Sequence, residues 1–174
     1  MKELEKFYQS ILNIGNKDHM TEIKRIVIEE RALLNDKGLE LDGLCKYIAN
    51  QIECRIKEEI PGVHINKIDL RDFNLVDHTI LIVEYKKDSE MCRLLVDPTF
   101  TQFVRKENTE LIKLDSWPGD KINKSTLSSL VSDGLVEVDN ATFQNYLDSF
   151  SEASVSVDLD EYLLKERIDN RFIR

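Results

Sequence analysis

Apolar residues recur at helical spacing through the first third of the chain. Helices are predicted over Lys2–Ile14, from Thr21 to Leu34, and from Asp42 to about Glu59, where Pro61–Gly62 ends the third one. The apolar positions of this third helix are spaced i, i+3, i+4, i+7 and i+11, which predicts that they share one buried face. They are Cys45, Ile48, Ala49, Ile52 and Ile56.

The middle of the chain changes to the two-residue period of β-strands. A short strand is predicted over 63–70, and two strongly apolar strands over Asp77–Tyr85 and Cys92–Asp97, with Pro98 ending the second. The polar connection Lys86–Glu90 has the length of a hairpin loop. Because both long strands are apolar on both faces, we expect them to be central in a sheet that is covered on two sides.

Weaker signals follow in the last third. They predict a short helix over 125–131, a short strand over 135–138, a helix capped by Asp139 or Asn140 that reaches Phe150, and a last helix that begins after Asp158. The last helix should end near residue 168.

The whole pattern predicts an α+β protein in which the helix carrying Cys45 packs on an antiparallel sheet. We expect a helical segment over residues 1–40, a core over 41–150, and a C-terminal helix and tail over 151–174. The net charge of −9 repels nucleic-acid phosphates and anionic lipids, so neither a nucleic acid nor a membrane is expected as a partner.

The cysteine content indicates which compartment and which cofactors to expect. The three cysteines form no CxxC pair and no Cys/His set with zinc spacing, and no HExxH motif is present, so neither a metal nor another cofactor is expected. The charged N-terminus lacks a secretory signal, and no apolar run approaches ~18 residues. We expect a cytoplasmic protein, or one exported without a signal peptide.

Cys45 is the candidate nucleophile. It falls in the first turn of its helix, where unpaired backbone N–H groups and the helix dipole stabilise a thiolate and can also donate to an oxyanion. Cys54 is about half a turn out of phase with Cys45 on the same helix. Cys92 should face away from the other candidate residues.

His78 and Asp97 are the candidate base and its orienting acid. If the hairpin turn is centred between Lys87 and Asp88, His78 lies directly opposite Asp97 in the antiparallel pair. A carboxylate at that distance can accept a hydrogen bond from the imidazole and fix its tautomer. The shared face would carry apolar residues that the helix bearing Cys45 could cover.

Other residues remain open as alternatives. His64 is a possible backup base, whereas His19 lies in a polar segment and is expected to be solvated. Asp77 and Asp115 are alternatives to Asp97 as the acid.

The order Cys, His, Asp, in the segments "LDGLCKYIA", "DHTILIVEY" and "RLLVDPTFTQF", resembles the transglutaminase-like branch of the papain-like superfamily. It is also similar to bacterial glutamine-deamidase toxins and effectors of papain-like fold. The resemblance covers about residues 42–103. It implies a papain/transglutaminase-like fold and a Cys45–His78–Asp97 triad that attacks an amide in a protein or peptide.

The activity implied is thiol-dependent acyl transfer or amide hydrolysis, by a glutamine deamidase, a transglutaminase-like enzyme or a cysteine protease. Papain-like proteases place an oxyanion-hole glutamine before the nucleophile, and residues 38–41 contain none. Gln102 is the candidate for that donor. The alternative is a non-catalytic binding or regulatory module with Cys45 as a buried structural residue.

Overall fold

The computed structural model describes residues 3–4, 6–7, 15–36, 44–107, 110–113, 122–150 and 156–172. Its helices are α1 (Met20–Asp36), α2 (Cys45–Glu59), α3 (Lys124–Asp133), α4 (Asn140–Asp148) and α5 (Leu159–Phe172). Its strands are β1 (His64–Asp69), β2 (Thr79–Lys87), β3 (Glu90–Val96), β4 (Val104–Glu107), β5 (Glu110–Lys113) and β6 (Leu135–Glu137). Residues 3–4 and 6–7 are helical, and the rest of the first predicted helix lies outside the described residues.

Four of the strands form one antiparallel sheet in the order β1-β2-β3-β6. The two long apolar strands are its central pair, which confirms the α+β prediction and the central position of both strands. The hydrophobic pattern does not predict the separate β4–β5 pair, whose strands are only four residues long each.

The β2–β3 hairpin turns one residue later than the sequence predicts. Lys87 pairs with Glu90, so the loop is Asp88–Ser89, and both of its residues have positive φ (52° and 66°), as a type I′ turn requires. The Asn16 side chain accepts a hydrogen bond from the Ser89 amide at 2.9 Å and holds this turn in place.

The predicted pairing of His78 with Asp97 is therefore wrong in register. Leu81 pairs with Val96, and continuing that register places Asp97 opposite Ile80, diagonally across from His78. Shifting each pairing partner by two positions preserves the face, because side chains alternate with a period of two. The two residues therefore still share one side of the sheet.

The two faces of the sheet are covered by different parts of the chain. The face of Ile80 and Ile82 packs against residues of α3, α4 and α5. The face of Leu81 and Val83 packs against α1 and α2. The buried residues of α2, namely Ile48, Ala49, Ile52 and Ile56, belong to this second cluster. The expectation that α2 covers the side of His78 is wrong, because α2 lies across the opposite face.

Helix ends follow the predicted chemistry in part. Asp139 caps α4 by accepting from the Thr142 amide at 2.7 Å, and Asp158 accepts from the Glu161 amide in the first turn of α5. Asp42, the predicted cap of α2, lies outside the described residues. Within the described ranges, no helix combines the length and apolar character that crossing a bilayer needs.

A buried charged group fastens α5 to the sheet. The Glu84 carboxylate is fully buried in β2 and accepts hydrogen bonds from Asn66 at 3.0 Å and from Arg93 at 3.2 Å. Its second oxygen also accepts from Arg167 of α5. A buried carboxylate is tolerated here because donors from three elements satisfy it.

Gly134 ends α3 and provides a test of the fold near Asp97. Its φ is +76°, and an added Cβ would lie 3.0 Å from a Val27 methyl and 3.1 Å from the Pro98 Cα. We expect Gly134→Ala to lower the free energy of unfolding by about 2–4 kcal/mol, from the left-handed backbone and the close contacts together. Urea unfolding measures this loss.

Gly15→Ala is the matched control for that substitution. A Cβ at Gly15 would meet its nearest neighbour, the Gly62 Cα, at an ordinary 3.6 Å, so little change is expected. Equal stabilities for the two variants would contradict the role assigned to Gly134.

Candidate active site

His78 and Asp97 form a buried ion pair. The Nε2 atom of His78 lies 2.8 Å from Asp97 Oδ1, and both side chains are 0% exposed. His78 immediately precedes β2, and its carbonyl accepts a hydrogen bond from the Leu70 amide at 2.8 Å, which fixes the backbone at this point. The contact expected from the sequence is present, although the register that suggested it is not.

Asp97 is held from three directions. Its amide donates to the Gly134 carbonyl at 2.8 Å, and its carbonyl accepts from the Phe100 amide at 3.2 Å. The Tyr146 hydroxyl on α4 donates to Asp97 Oδ2 at 2.5 Å. Sequence reasoning missed Tyr146, because the aromatic positions of α4 at helical spacing indicate only a core-facing stripe.

Cys45 is the first residue of α2 and is partly buried. Its sulfur interacts with the His78 ring and with the backbone amides of Thr79 and Lys46. The hydrogen bond with His78 is the largest influence on the Cys45 pKa. With the two amides, it outweighs burial and lowers the pKa below that of an ordinary thiol.

The pKa of His78 moves in the complementary direction. Burial by itself lowers the pKa of the ring, but the adjacent Asp97 carboxylate and the Cys45 sulfur outweigh burial and raise it to about 10. Because Nε2 bonds to Asp97, Nδ1 is the ring nitrogen left for the thiol. The two shifts together favour the Cys45 thiolate beside a His78 imidazolium over the neutral thiol and imidazole.

Aromatic rings and an amide enclose the imidazole. Phe103 meets the ring edge-on at a centroid distance of 4.9 Å, and Phe150 lies 6.1 Å away. The Gln102 side-chain nitrogen lies 3.4 Å from His78 Nδ1 and 3.1 Å from Thr99 Oγ1. Gln102, the candidate oxyanion donor, is thus beside the ring nitrogen that serves the thiol.

The other cysteines lie elsewhere. Cys92 pairs with Tyr85 and packs with the α1/α2 cluster, away from His78, as the sequence predicts. Burial raises the pKa of the Cys92 thiol, which disfavours its nucleophilic form. Cys54 is exposed on α2.

The other two histidines, His64 and His19, do not lie at the Cys45 site. His64 pairs with Glu84 of β2, whereas Cys45 interacts with Thr79 at the start of the same strand. Glu84 and Thr79 are five residues apart, which separates His64 from the thiol by ~17 Å. The expectation that His19 is solvated is wrong. His19 is buried, packs edge-on against Tyr85 at 5.9 Å, and lies 3.4 Å from the Glu22 carboxylate.

Of the two alternative acids, the structure describes Asp77, and this residue is largely exposed to solvent. The Asp77 side chain is 72% exposed and lies 3.4 Å from Arg71. Asp115 lies outside the described residues. Among the residues that the structure describes, no group of three or more His, Cys, Asp or Glu side chains is arranged to hold a metal ion.

The site predicts selective alkylation of Cys45. With iodoacetamide near neutral pH, Cys45 should react at least roughly tenfold faster than Cys54, because alkylation follows the thiolate fraction. His78→Ala should remove this advantage. Mass mapping of peptides measures both rates in one sample, with exposed Cys54 as the internal control. Reaction of Cys45 only after denaturation would contradict an accessible thiolate.

Comparison of the chain with protein-family models, with curated proteins and with solved structures gave no match.

Proposed function

We propose that the protein is a thiol-dependent amide hydrolase of papain/transglutaminase-like fold that deamidates glutamine side chains in proteins or peptides. The partly accessible Cys45 thiol beside a fully enclosed His78–Asp97 pair carries this proposal. A cysteine that served only to fill the core would need neither a buried ion pair nor a lowered pKa.

The first half of the reaction forms a thioester. The Cys45 thiolate attacks the carboxamide carbon, and the carbonyl oxygen takes up the electron pair to give a tetrahedral oxyanion. His78 then gives its Nδ1 proton to the amide nitrogen. The C–N bond breaks, ammonia leaves, and the acyl group remains on Cys45.

Hydrolysis of the thioester restores the enzyme. The neutral His78 ring takes a proton from water as the water attacks the thioester carbon. The C–S bond breaks and Cys45 returns as thiolate beside the imidazolium. The product leaves as a carboxylic acid, which gives its proton to solvent and becomes a glutamate side chain. The Asp97 carboxylate stabilises the charged ring at Nε2.

The oxyanion can be held by donors already at the site. When His78 carries a proton on Nδ1, that nitrogen and the Gln102 amide 3.4 Å away are both donors and cannot bond to each other. Both are then available to a common acceptor, such as the developing oxyanion. The Gln102 amide, with the orphan amides at the start of α2, would supply the oxyanion hole.

The enclosure of His78 favours a small leaving group. A protease must place a departing peptide chain next to the histidine that protonates it, and His78 is 0% exposed beneath Phe103 and Phe150. Deamidation releases only ammonia at that point. Deamidation is therefore favoured over main-chain cleavage.

The proposed function predicts Cys45-dependent deamidation. The full chain is incubated with a mixture of short peptides that hold one central glutamine between randomised residues. Each event converts a carboxamide to a carboxylate and raises the peptide mass by about one unit. Wild type and Cys54→Ala should both give this gain, whereas Cys45→Ala and His78→Ala should reduce it at least ~10³-fold.

Two results would contradict the proposal. Cleaved peptides without deamidated glutamine would identify a protease instead. A mass gain equal in wild type and Cys45→Ala would assign deamidation to something other than this site.

A further inference from the structure

Tyr146 is the only side chain besides His78 that the described contacts place on the Asp97 carboxylate. Its hydroxyl lies 2.5 Å from Oδ2, while Oδ1 faces the imidazole. Tyr146 and Asp97 are both 0% exposed, so neither oxygen can exchange its partner for water. Each carboxylate oxygen is thus assigned to one donor.

A buried carboxylate can turn about its Cβ–Cγ bond unless both oxygens are held. Without the phenol, Oδ2 would be a buried charged acceptor with no donor on it, and the group would reorient or take up a proton. Either change weakens the bond from Oδ1 to Nε2. The imidazolium would lose its counter-charge, and the thiolate would lose the proton donor that stabilises it.

We propose that Tyr146 is a positioning residue that locks Asp97 toward His78 and thereby sustains the ionised Cys45. This inference rests on the proposed function and extends it, since it assigns α4 a part in the reaction. Burial raises the pKa of the Tyr146 phenol well above its ordinary value, and Asp97 adds to the effect, so the hydroxyl stays protonated and donates.

Among the residues that the structure describes, one charged group from α1 also acts on Asp97. Arg31 of α1 interacts with it electrostatically, while its guanidinium donates to the carbonyls of Val131 and Ser132 at the end of α3. From α2 the contributing group is Cys45, which acts through His78. The aromatic rings around His78 are uncharged. Tyr146 and His78 make the hydrogen bonds to the Asp97 carboxylate, so losing either one would change its position most directly.

The test is the pH dependence of Cys45 alkylation in Tyr146→Phe. The midpoint of the rise in rate should move upward by about one pH unit, which is about a tenfold slower reaction below the midpoint. Tyr85→Phe is the matched control, because it removes another tyrosine–aspartate bond, the 3.1 Å contact of the buried Tyr85 hydroxyl with the exposed Asp18. It should leave the midpoint unchanged.

The outcomes separate this inference from the proposed function. If wild-type Cys45 reacts rapidly and depends on His78, but the midpoint of Tyr146→Phe equals that of wild type, the role of Tyr146 is overturned and the proposed function stands. If Cys45 never reacts faster than Cys54, the proposed function itself fails. A midpoint shifted equally by Tyr85→Phe would also overturn a specific role for Tyr146.

A second variant covers the case in which Tyr146→Phe does not fold. Incorporating 3-fluorotyrosine at position 146 keeps the ring and hydroxyl but makes the phenol a stronger donor. The midpoint should then move downward. An unchanged midpoint in the folded fluorinated protein would overturn the proposal.

Discussion

The candidate site depends on one buried contact, the 2.8 Å bond between His78 and Asp97. Burial alone would favour a neutral imidazole, and the Asp97 carboxylate beside the ring, with the Cys45 sulfur, reverses that preference. The carboxylate is costly to bury and is stabilised by Tyr146 and the imidazolium together. Loss of this contact would leave Cys45 as an ordinary thiol at a helix end.

The architecture brings the thiol to the imidazole from the far side of the sheet. Helix α2 packs on the face of Leu81 and Val83, while His78 and Asp97 lie with the aromatic cluster of the other face. The Cys45 sulfur and the His78 ring interact where β2 begins, and there the Thr79 amide also interacts with the sulfur. Both halves of the chain therefore contribute to the site, and neither the α1/α2 cluster nor the α3–α5 cluster contains it alone.

Local patterns predicted the main elements and the three candidate residues. The apolar runs of β2 and β3 and the helical spacing from Cys45 to Ile56 are local signals, so they survive without tertiary information. The predicted β2–β3 register was wrong because the turn residues are Asp88 and Ser89, which both have positive φ. An Asn-Gly pair would have indicated such a turn in the sequence, but Asp-Ser does not. Tyr146, 49 residues from Asp97, and buried His19 depend on contacts that no local pattern encodes.

The most direct test of the central claim is the protonation state of the His78 ring, measured by NMR with ¹⁵N-labelled histidine and assigned with His78→Gln. The account predicts a doubly protonated ring at neutral pH, with both nitrogens losing imidazolium character only as the pH nears about 10. A ring that is neutral at pH 7.5 and titrates near the ordinary histidine pKa of about 6.5 would contradict it.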